Sequence, residues 1–215
     1  MCARFKWALG GPDRWDKMTA AEWDGVPQPI RGIAILRMIE HWQRRYQVGE
    51  RFGLPQLTVR RRMQAIAMAE SWFEHRAANR NRDGSLDLGI GQASAAARSR
   101  LRVLYVRGDA DFGLAEGDYF DPWKASRALV FWFSLLLNEA RGDLDMATRA
   151  YNVGSEAARA GGGKPYLQAV MRREANYLRG GAVRPTWTWL RKNAPPAPPE
   201  AVPPPTTLLV SDAQP

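Results

Sequence analysis

Residues 56–73 read QLTVRRRMQAIAMAESWF, and this pattern predicts one amphipathic helix that ends beside a carboxylate. One face of the helix carries Leu57, Met63, Ile66, Ala67 and Glu70. The segment Gly53-Leu54-Pro55 interrupts the chain before the helix, and residues 78–89 are rich in Asn, Asp and Gly, which predicts a loop after it. The sequence therefore places Glu70 near a helix end, next to a polar loop.

Helical patterns continue on both sides of this segment. Further helices are predicted over residues 30–47, 92–106, 121–139, 143–152 and 165–178. Asp121-Pro122 suits a helix start, because Asp caps exposed N–H groups and Pro fits the first turn. No segment alternates apolar and polar residues over a useful length, so few or no strands are expected. The predicted fold class is all-α, or mainly α.

The chain divides by composition into three predicted regions. Residues 1–55 form a helical N-terminal extension, residues 56–181 the main domain, and residues 182–215 a tail. Between Pro195 and Pro205, seven of eleven residues are proline, which favours an extended chain that buries no core. We expect this tail to be disordered.

The composition excludes several classes of function. With 31 basic and 22 acidic residues the net charge is +9, which favours polyanionic partners. A helix that reads nucleic acid would present basic residues on an exposed face. The arginines at 60–62 instead lead directly into the Glu70 segment, so nucleic acid is not an expected partner. His41, His75 and Cys2 are too few and too far apart in sequence for a zinc site, and no cofactor is expected. Neither a signal peptide nor a membrane span is visible.

Three short motifs occur in a fixed order: AESWF over 69–73, LGIGQ over 88–92 and RAYNVG over 149–154. Each motif alone is weak, because glycine-rich turns and helix ends are common. In this order and at this spacing they resemble the soluble lytic transglycosylase family, within the goose-type lysozyme superfamily. The resemblance covers about residues 60–178 and includes the helix start at Asp121-Pro122.

The resemblance implies a lysozyme-like α domain that cleaves peptidoglycan glycan strands. Glu70 would be the essential acid, protonating the oxygen between N-acetylmuramic acid and N-acetylglucosamine. The same residue, then ionised, would deprotonate the muramic acid C6 hydroxyl, and a 1,6-anhydro product would form without water or metal. Such a protein is expected in the cell envelope, the periplasm or a phage, with a secretion apparatus or a phage particle as a further partner.

The resemblance also assigns residues around the acid. Tyr151 matches a tyrosine that hydrogen-bonds near the acid and the sugar, and Gln92 matches a glutamine at the sugar acetamide. The main chain at Gly89 and Ile90 is expected to line the groove, because glycine permits close approach of a ligand. Glu70 needs a raised pKa. Candidates for the apolar wall that raises it are Ile66, Trp72, Phe73 and Ile90.

Other assignments concern local support and departures from the family pattern. Ser71 is expected to bond the nearby backbone, and Asn152 to stabilise its turn. Asn79 or Asn81 could replace the serine that usually supports the acid, and the residues do not choose between them. Gly91 stands where the family has methionine, so one apolar wall of the sugar site is absent or supplied by another element.

Two alternatives remain open. An inverting hydrolase holds a second carboxylate roughly 6.5–9.5 Å from the first, with a water between them. If Glu74, Asp83 or Asp87 positions such a water, the protein is a lysozyme-type hydrolase of the same bond. The other alternative is a non-catalytic protein that binds the cell wall or assists assembly, and the presence of both Glu70 and Tyr151 argues against it.

Overall fold

A computed structural model describes residues 10–179, and helices make up most of this part of the chain. They are α1 (Pro12–Trp15), α2 (Ala20–Asp24), α3 (Gln28–Arg45), α4 (Gln56–Ser71), α5 (Ala95–Val106), α6 (Pro122–Glu139), α7 (Leu144–Val153), α8 (Ser155–Arg159) and α9 (Lys164–Arg179). Two 3₁₀ turns cover Glu50–Phe52 and Glu116–Phe120. The mainly α prediction is confirmed. All six predicted helices are present, with ends that differ by up to three residues, whereas α8 was not predicted.

Residues 78–89 form a small β-hairpin where the sequence predicted a loop. Strand β1 (Ala78–Arg80) pairs antiparallel with β2 (Leu86–Leu88), and Asn79 lies opposite Asp87. Strands of three residues are too short to show alternation in a sequence, which explains why the pattern did not predict them. The hairpin matters here because it carries Asp87 and leads into the LGIGQ motif.

The hydrophobic core is centred on α6, which packs along α3. Phe131 and Phe133 of α6 and Met38 of α3 are almost completely buried. The same core cluster extends from Trp15 near the start of the described chain to Val170 in α9. The division predicted at residue 55 therefore does not coincide with a break in the core. The tail predicted over 182–215 lies outside the described residues.

Helices α4 and α9 pack against each other in antiparallel directions, and a buried arginine joins them. Arg62 of α4 donates to Glu174 of α9 at 2.9 Å, and also to Asp145 (2.8 Å) and Thr148 (3.0 Å) of α7. A guanidinium with several partners in a fixed fork suits such a junction. This packing brings the first turn of α9 to the end of α4, where Glu70 lies.

Across residues 10–179, no helix combines the length and the apolar character needed to span a membrane.

Candidate active site

The chain turns sharply after Glu70. Helix α4 ends at Ser71, and the next two residues, Trp72 (φ 53°) and Phe73 (φ 63°), adopt left-handed backbone conformations. Bulky residues rarely do so, at a cost of about 1 kcal/mol or more each. Burial of Phe73, which is 3% exposed and packs against Gly32 of α3, offsets this cost. The turn directs the hairpin back alongside the end of α4.

Of the four residues predicted to form the apolar wall, three are buried. Ile66, Phe73 and Ile90 have at most 3% of their surface exposed, whereas Trp72 is 49% exposed. Trp72 is therefore not part of the buried wall, although Phe73 next to it has the same left-handed backbone and is buried. Its carbonyl accepts a hydrogen bond from the Gln28 side chain at 2.9 Å.

The carboxyl of Glu70 is partly buried, and burial raises its pKa from 4.5 to about 7. A hydrogen bond from the Tyr166 hydroxyl to Oε1 works in the opposite direction, because it favours the ionised form. The negative charge of Asp87 raises this pKa further, and the positive charge of Arg173 lowers it. Desolvation is the largest of these effects, so a large fraction of Glu70 is protonated at neutral pH.

Tyrosines from two helices approach this carboxyl. Tyr166, in the first turn of α9, donates its hydroxyl proton to Glu70. Tyr151, near the end of α7, donates its proton to the carbonyl of Gly91 at 2.7 Å. Burial and the nearby Glu70 charge hold the pKa of both hydroxyls well above the ordinary value for tyrosine. Both therefore remain donors at physiological pH, and the one bonded to the carboxyl is Tyr166, while the role of Tyr151 near the acid and the sugar stays a prediction.

Nothing in the local sequence around Tyr166 marks it as part of the site. It was predicted to lie in the last helix, and its position follows a glycine-rich segment, but its partner is 96 residues away. An aromatic residue at a helix start is usually core, so only the packing of α9 on α4 assigns it to Glu70.

The LGIGQ turn is held by hydrogen bonds and packing within the protein. Gly89 has φ +71°, and a Cβ atom there would lie 1.9 Å from the carbonyl oxygen of Tyr119. Its N–H donates to the carbonyl of Ala77 at 2.8 Å. Ile90 is fully buried, and its carbonyl accepts the Ser71 hydroxyl at 2.9 Å. Glycine is thus required at position 89 for packing against Tyr119, and the main chain of Gly89 and Ile90 as a lining of the groove stays a prediction. The Ser71 hydroxyl thus forms a hydrogen bond to the backbone of this turn.

The side chain of Gln92 stabilises the LGIGQ turn at its other end. Its side-chain nitrogen donates to the carbonyls of Ala77 (3.2 Å) and Gly89 (3.0 Å), while its backbone adopts φ 43°. Both donor positions of the amide thus serve the protein, and its carbonyl oxygen is the group left for a sugar. A direct contact between Gln92 and substrate stays a prediction.

The space beside Gly91 is already occupied. A Cβ atom at Gly91 would lie 2.8 Å from the Tyr151 hydroxyl and 3.1 Å from a methyl of Leu129. Side chains of α6 and α7 therefore fill the position next to the turn where the family pattern has a methionine. The apolar group beside Gly91 is the buried Leu129, which the sequence motif did not indicate.

The hairpin residues form their own network. Asn81 donates to Asp87 at 3.0 Å and to the Ser85 hydroxyl at 3.1 Å, and Asp83 accepts from the Ser85 hydroxyl and N–H. Asn79 is exposed. Of the two candidate asparagines, Asn81 thus holds Asp87 by a hydrogen bond. Among the described residues, neither Asn79 nor Asn81 is hydrogen-bonded to Glu70.

Among the three carboxylates considered as a second catalytic group, only Asp87 acts on Glu70. Glu74 forms an ion pair with the buried Arg31 at 2.8 Å, and Asp83 is turned into the hairpin. Asp87 raises the pKa of Glu70 through its charge. Asn152 is exposed at the end of α7, and a role in binding stays a prediction.

Comparison with known proteins identifies the domain that contains these residues. The transglycosylase SLT domain matches residues 58–172, more than half of the chain. The matched range contains Glu70, the glycine turn and both tyrosines. Searches of curated proteins and of solved structures gave no match. The mainly helical, lysozyme-like fold is that of this domain. The chain therefore belongs to the transglycosylase SLT family, which at the family level carries out peptidoglycan cleavage of the lytic transglycosylase type.

Proposed function

We propose that this protein cleaves the β-1,4 bond between N-acetylmuramic acid and N-acetylglucosamine, with Glu70 as general acid and then general base. The observation that supports this role is a partly buried carboxyl with a pKa of about 7, fixed on one oxygen by Tyr166. An acid–base group is most effective when its pKa lies near the working pH. Glu70 can therefore both give and accept a proton near neutrality.

The hydrogen bond from Tyr166 decides which carboxyl oxygen carries the proton. Because Tyr166 donates to Oε1, the proton of the neutral acid belongs on Oε2, which is the oxygen that faces the substrate in this mechanism. Transfer of that proton to the glycosidic oxygen breaks the bond to C1 and releases the N-acetylglucosamine side with a C4 hydroxyl.

The second half of the reaction restores the acid. The Glu70 carboxylate accepts the proton of the muramic acid C6 hydroxyl, and O6 attacks C1 to close the 1,6-anhydro ring. No water is consumed, and Glu70 ends protonated as it began. While Glu70 is ionised, the Tyr166 hydroxyl and the nearby positive charge of Arg173 stabilise it, since both lower its pKa.

Hydrolysis of the same bond is the second candidate, and Asp87 is the observation that favours it. Asp87 is held by Asn81 and acts electrostatically on Glu70. A carboxylate beside the acid can act as a base toward water on the other face of the sugar. The two candidates differ in their products, because hydrolysis leaves a reducing end that contains oxygen from water.

The test is mass spectrometry of soluble products released from purified peptidoglycan in ¹⁸O-labelled water. Wild type, Glu70→Gln and Asp87→Asn are compared. Products ending in 1,6-anhydromuramic acid, lost with Glu70→Gln and retained with Asp87→Asn, support the transglycosylase. Labelled reducing ends that disappear with Asp87→Asn support the hydrolase. An active Glu70→Gln protein contradicts both.

The substrate also defines where the protein works. Peptidoglycan lies in the cell envelope, and we infer action there, in the periplasm or as part of a phage particle. Residues 56–181 are proposed as the catalytic region, with residues 1–55 as its helical extension. A secretion apparatus or a phage particle remains the proposed further partner.

A further inference from the structure

Arg173 of α9 lies on the same side of the helix as Tyr166, seven residues later, which is close to two turns. Val170, between them, is fully buried. Helix side chains lean toward the helix N-terminus, and Nη1 of Arg173 donates to the carbonyl of Ala169 at 3.3 Å. The guanidinium therefore extends back along α9 toward Tyr166 and Glu70.

This guanidinium has unused hydrogen-bonding capacity. Its Nε is buried and has no hydrogen-bond partner, and no residue of the described chain forms an ion pair with it. Arg62, at the same helix junction, has two carboxylate partners. Because the Arg173 side chain is only partly buried and the described chain offers it no carboxylate, its guanidinium can pair with an anion that arrives with a ligand.

Glu70 is not that group. The positive charge of Arg173 lowers the pKa of Glu70, but the two side chains do not form an ion pair within 4.0 Å. A Glu70 that must hold its proton to act as an acid is neutral before the reaction, so it offers Arg173 no anion. The cation is thus available for a second carboxylate close to the scissile bond.

We propose that Arg173 binds a carboxylate carried by the muramic acid unit of the substrate. This inference rests on the proposed function, because it assumes that a glycan strand lies beside Glu70. Guanidinium groups bind carboxylates through paired, charge-assisted hydrogen bonds. In peptidoglycan the carboxylate can be the lactyl group of a sugar without peptide or an acidic group of the stem peptide, and N-acetylglucosamine carries neither.

A competing role for Arg173 is to adjust the charge state of Glu70 alone. The two roles can be distinguished by comparing glycans that carry the carboxylate with glycans that lack it. A charge effect on the acid alters cleavage of every glycan by the same factor, whereas a carboxylate contact distinguishes glycans that have the carboxylate from those that lack it.

The experiment measures binding by calorimetry to the full chain carrying Glu70→Gln, so that glycans survive. The probes are peptide-free glycan fragments with free lactyl carboxylates, the same fragments with these groups converted to amides, and fragments that retain stem peptides. We expect a carboxylate-bearing probe to bind about tenfold more tightly than the amide. Adding Arg173→Gln should remove this preference, and Arg173→Lys should retain part of it. Arg172→Gln, at an exposed neighbouring position, should retain all of it.

The free-lactyl and peptide-bearing probes identify which carboxylate is bound. Equal binding of carboxylate and amide, a preference that survives Arg173→Gln, or no binding of any probe overturns the inference. Cleavage by the protein with intact Glu70 is measured in parallel. Absence of products together with an Arg173-dependent preference would contradict the proposed cleavage and leave the binding site established.

Discussion

Replacing Glu70 with glutamine should stabilise the protein at alkaline pH while abolishing cleavage. The pKa of Glu70 is raised from 4.5 to about 7 on folding, mainly because burial disfavours the charged form. The folded state therefore binds this proton more tightly than the unfolded state. The resulting contribution to stability is complete below pH 4.5, declines as the pH rises, and is lost above about pH 7.

The magnitude follows from the two pKa values. The interval from 4.5 to about 7 corresponds to about 3 kcal/mol, at 1.36 kcal/mol per pKa unit. Because the carboxyl is only partly buried, water screens it to some degree, and we expect about 2 kcal/mol. Glutamine is neutral at every pH, has the same shape, and can still accept the Tyr166 hydrogen bond. The variant should exceed wild type by this amount at pH 8.5 and by little at pH 4.5.

Urea unfolding of both proteins at the two pH values, followed by circular dichroism, measures the difference. Glu156→Gln, at an exposed position in α8, is the matched control and should show little gain at either pH. If Glu70→Gln gains no more stability at pH 8.5 than at pH 4.5, then the carboxyl is not held in a water-poor environment. The argument for Glu70 as an acid near neutral pH would then fail.

Three further changes test the surroundings of the acid. Tyr166→Phe removes a hydrogen-bond donor that favours ionised Glu70, so the pKa of Glu70 should rise. The alkaline limb of the pH–activity profile should then move up by about one pH unit. A limb that does not move would show that Tyr166 does not influence the proton of Glu70 during cleavage. Gly89→Ala places a Cβ atom 1.9 Å from a main-chain carbonyl and should cost about 3 kcal/mol or more in urea unfolding. Gly84→Ala has similar backbone strain but open space, so it should cost only about 1 kcal/mol, and equal losses would refute the packing role. Arg62→Met leaves the largely buried Glu174 carboxylate without its ion-pair partner and should lower the free energy of unfolding by about 2–3 kcal/mol, whereas an unchanged urea midpoint would show that the junction contributes nothing.

Local patterns in the sequence predicted the helices and placed Glu70 near the end of one of them. Apolar spacing predicted α3, α4, α6 and α7, and their ends follow local chemistry. Asp121, for example, accepts hydrogen bonds from the N–H groups of Trp123 and Lys124 at the start of α6, as its place before a proline predicted. Such features depend on residues only a few positions apart, so the sequence predicts them without knowledge of the tertiary structure. The order of the three motifs likewise indicates the family.

The groups that surround Glu70 follow from how the helices pack, which the sequence pattern does not reveal. Tyr166 reaches it because α9 packs antiparallel on α4, and Asp87 influences it because two three-residue strands fold back after a left-handed turn. These contacts join residues distant in sequence, and helical periodicity reports only which face is buried, not which partner covers it. The same limit explains why Trp72 was expected in the wall and why the space beside Gly91, filled by Leu129, was not foreseen. Local spacing fixes backbone conformation, whereas the pKa of a carboxyl depends on every element that excludes water from it.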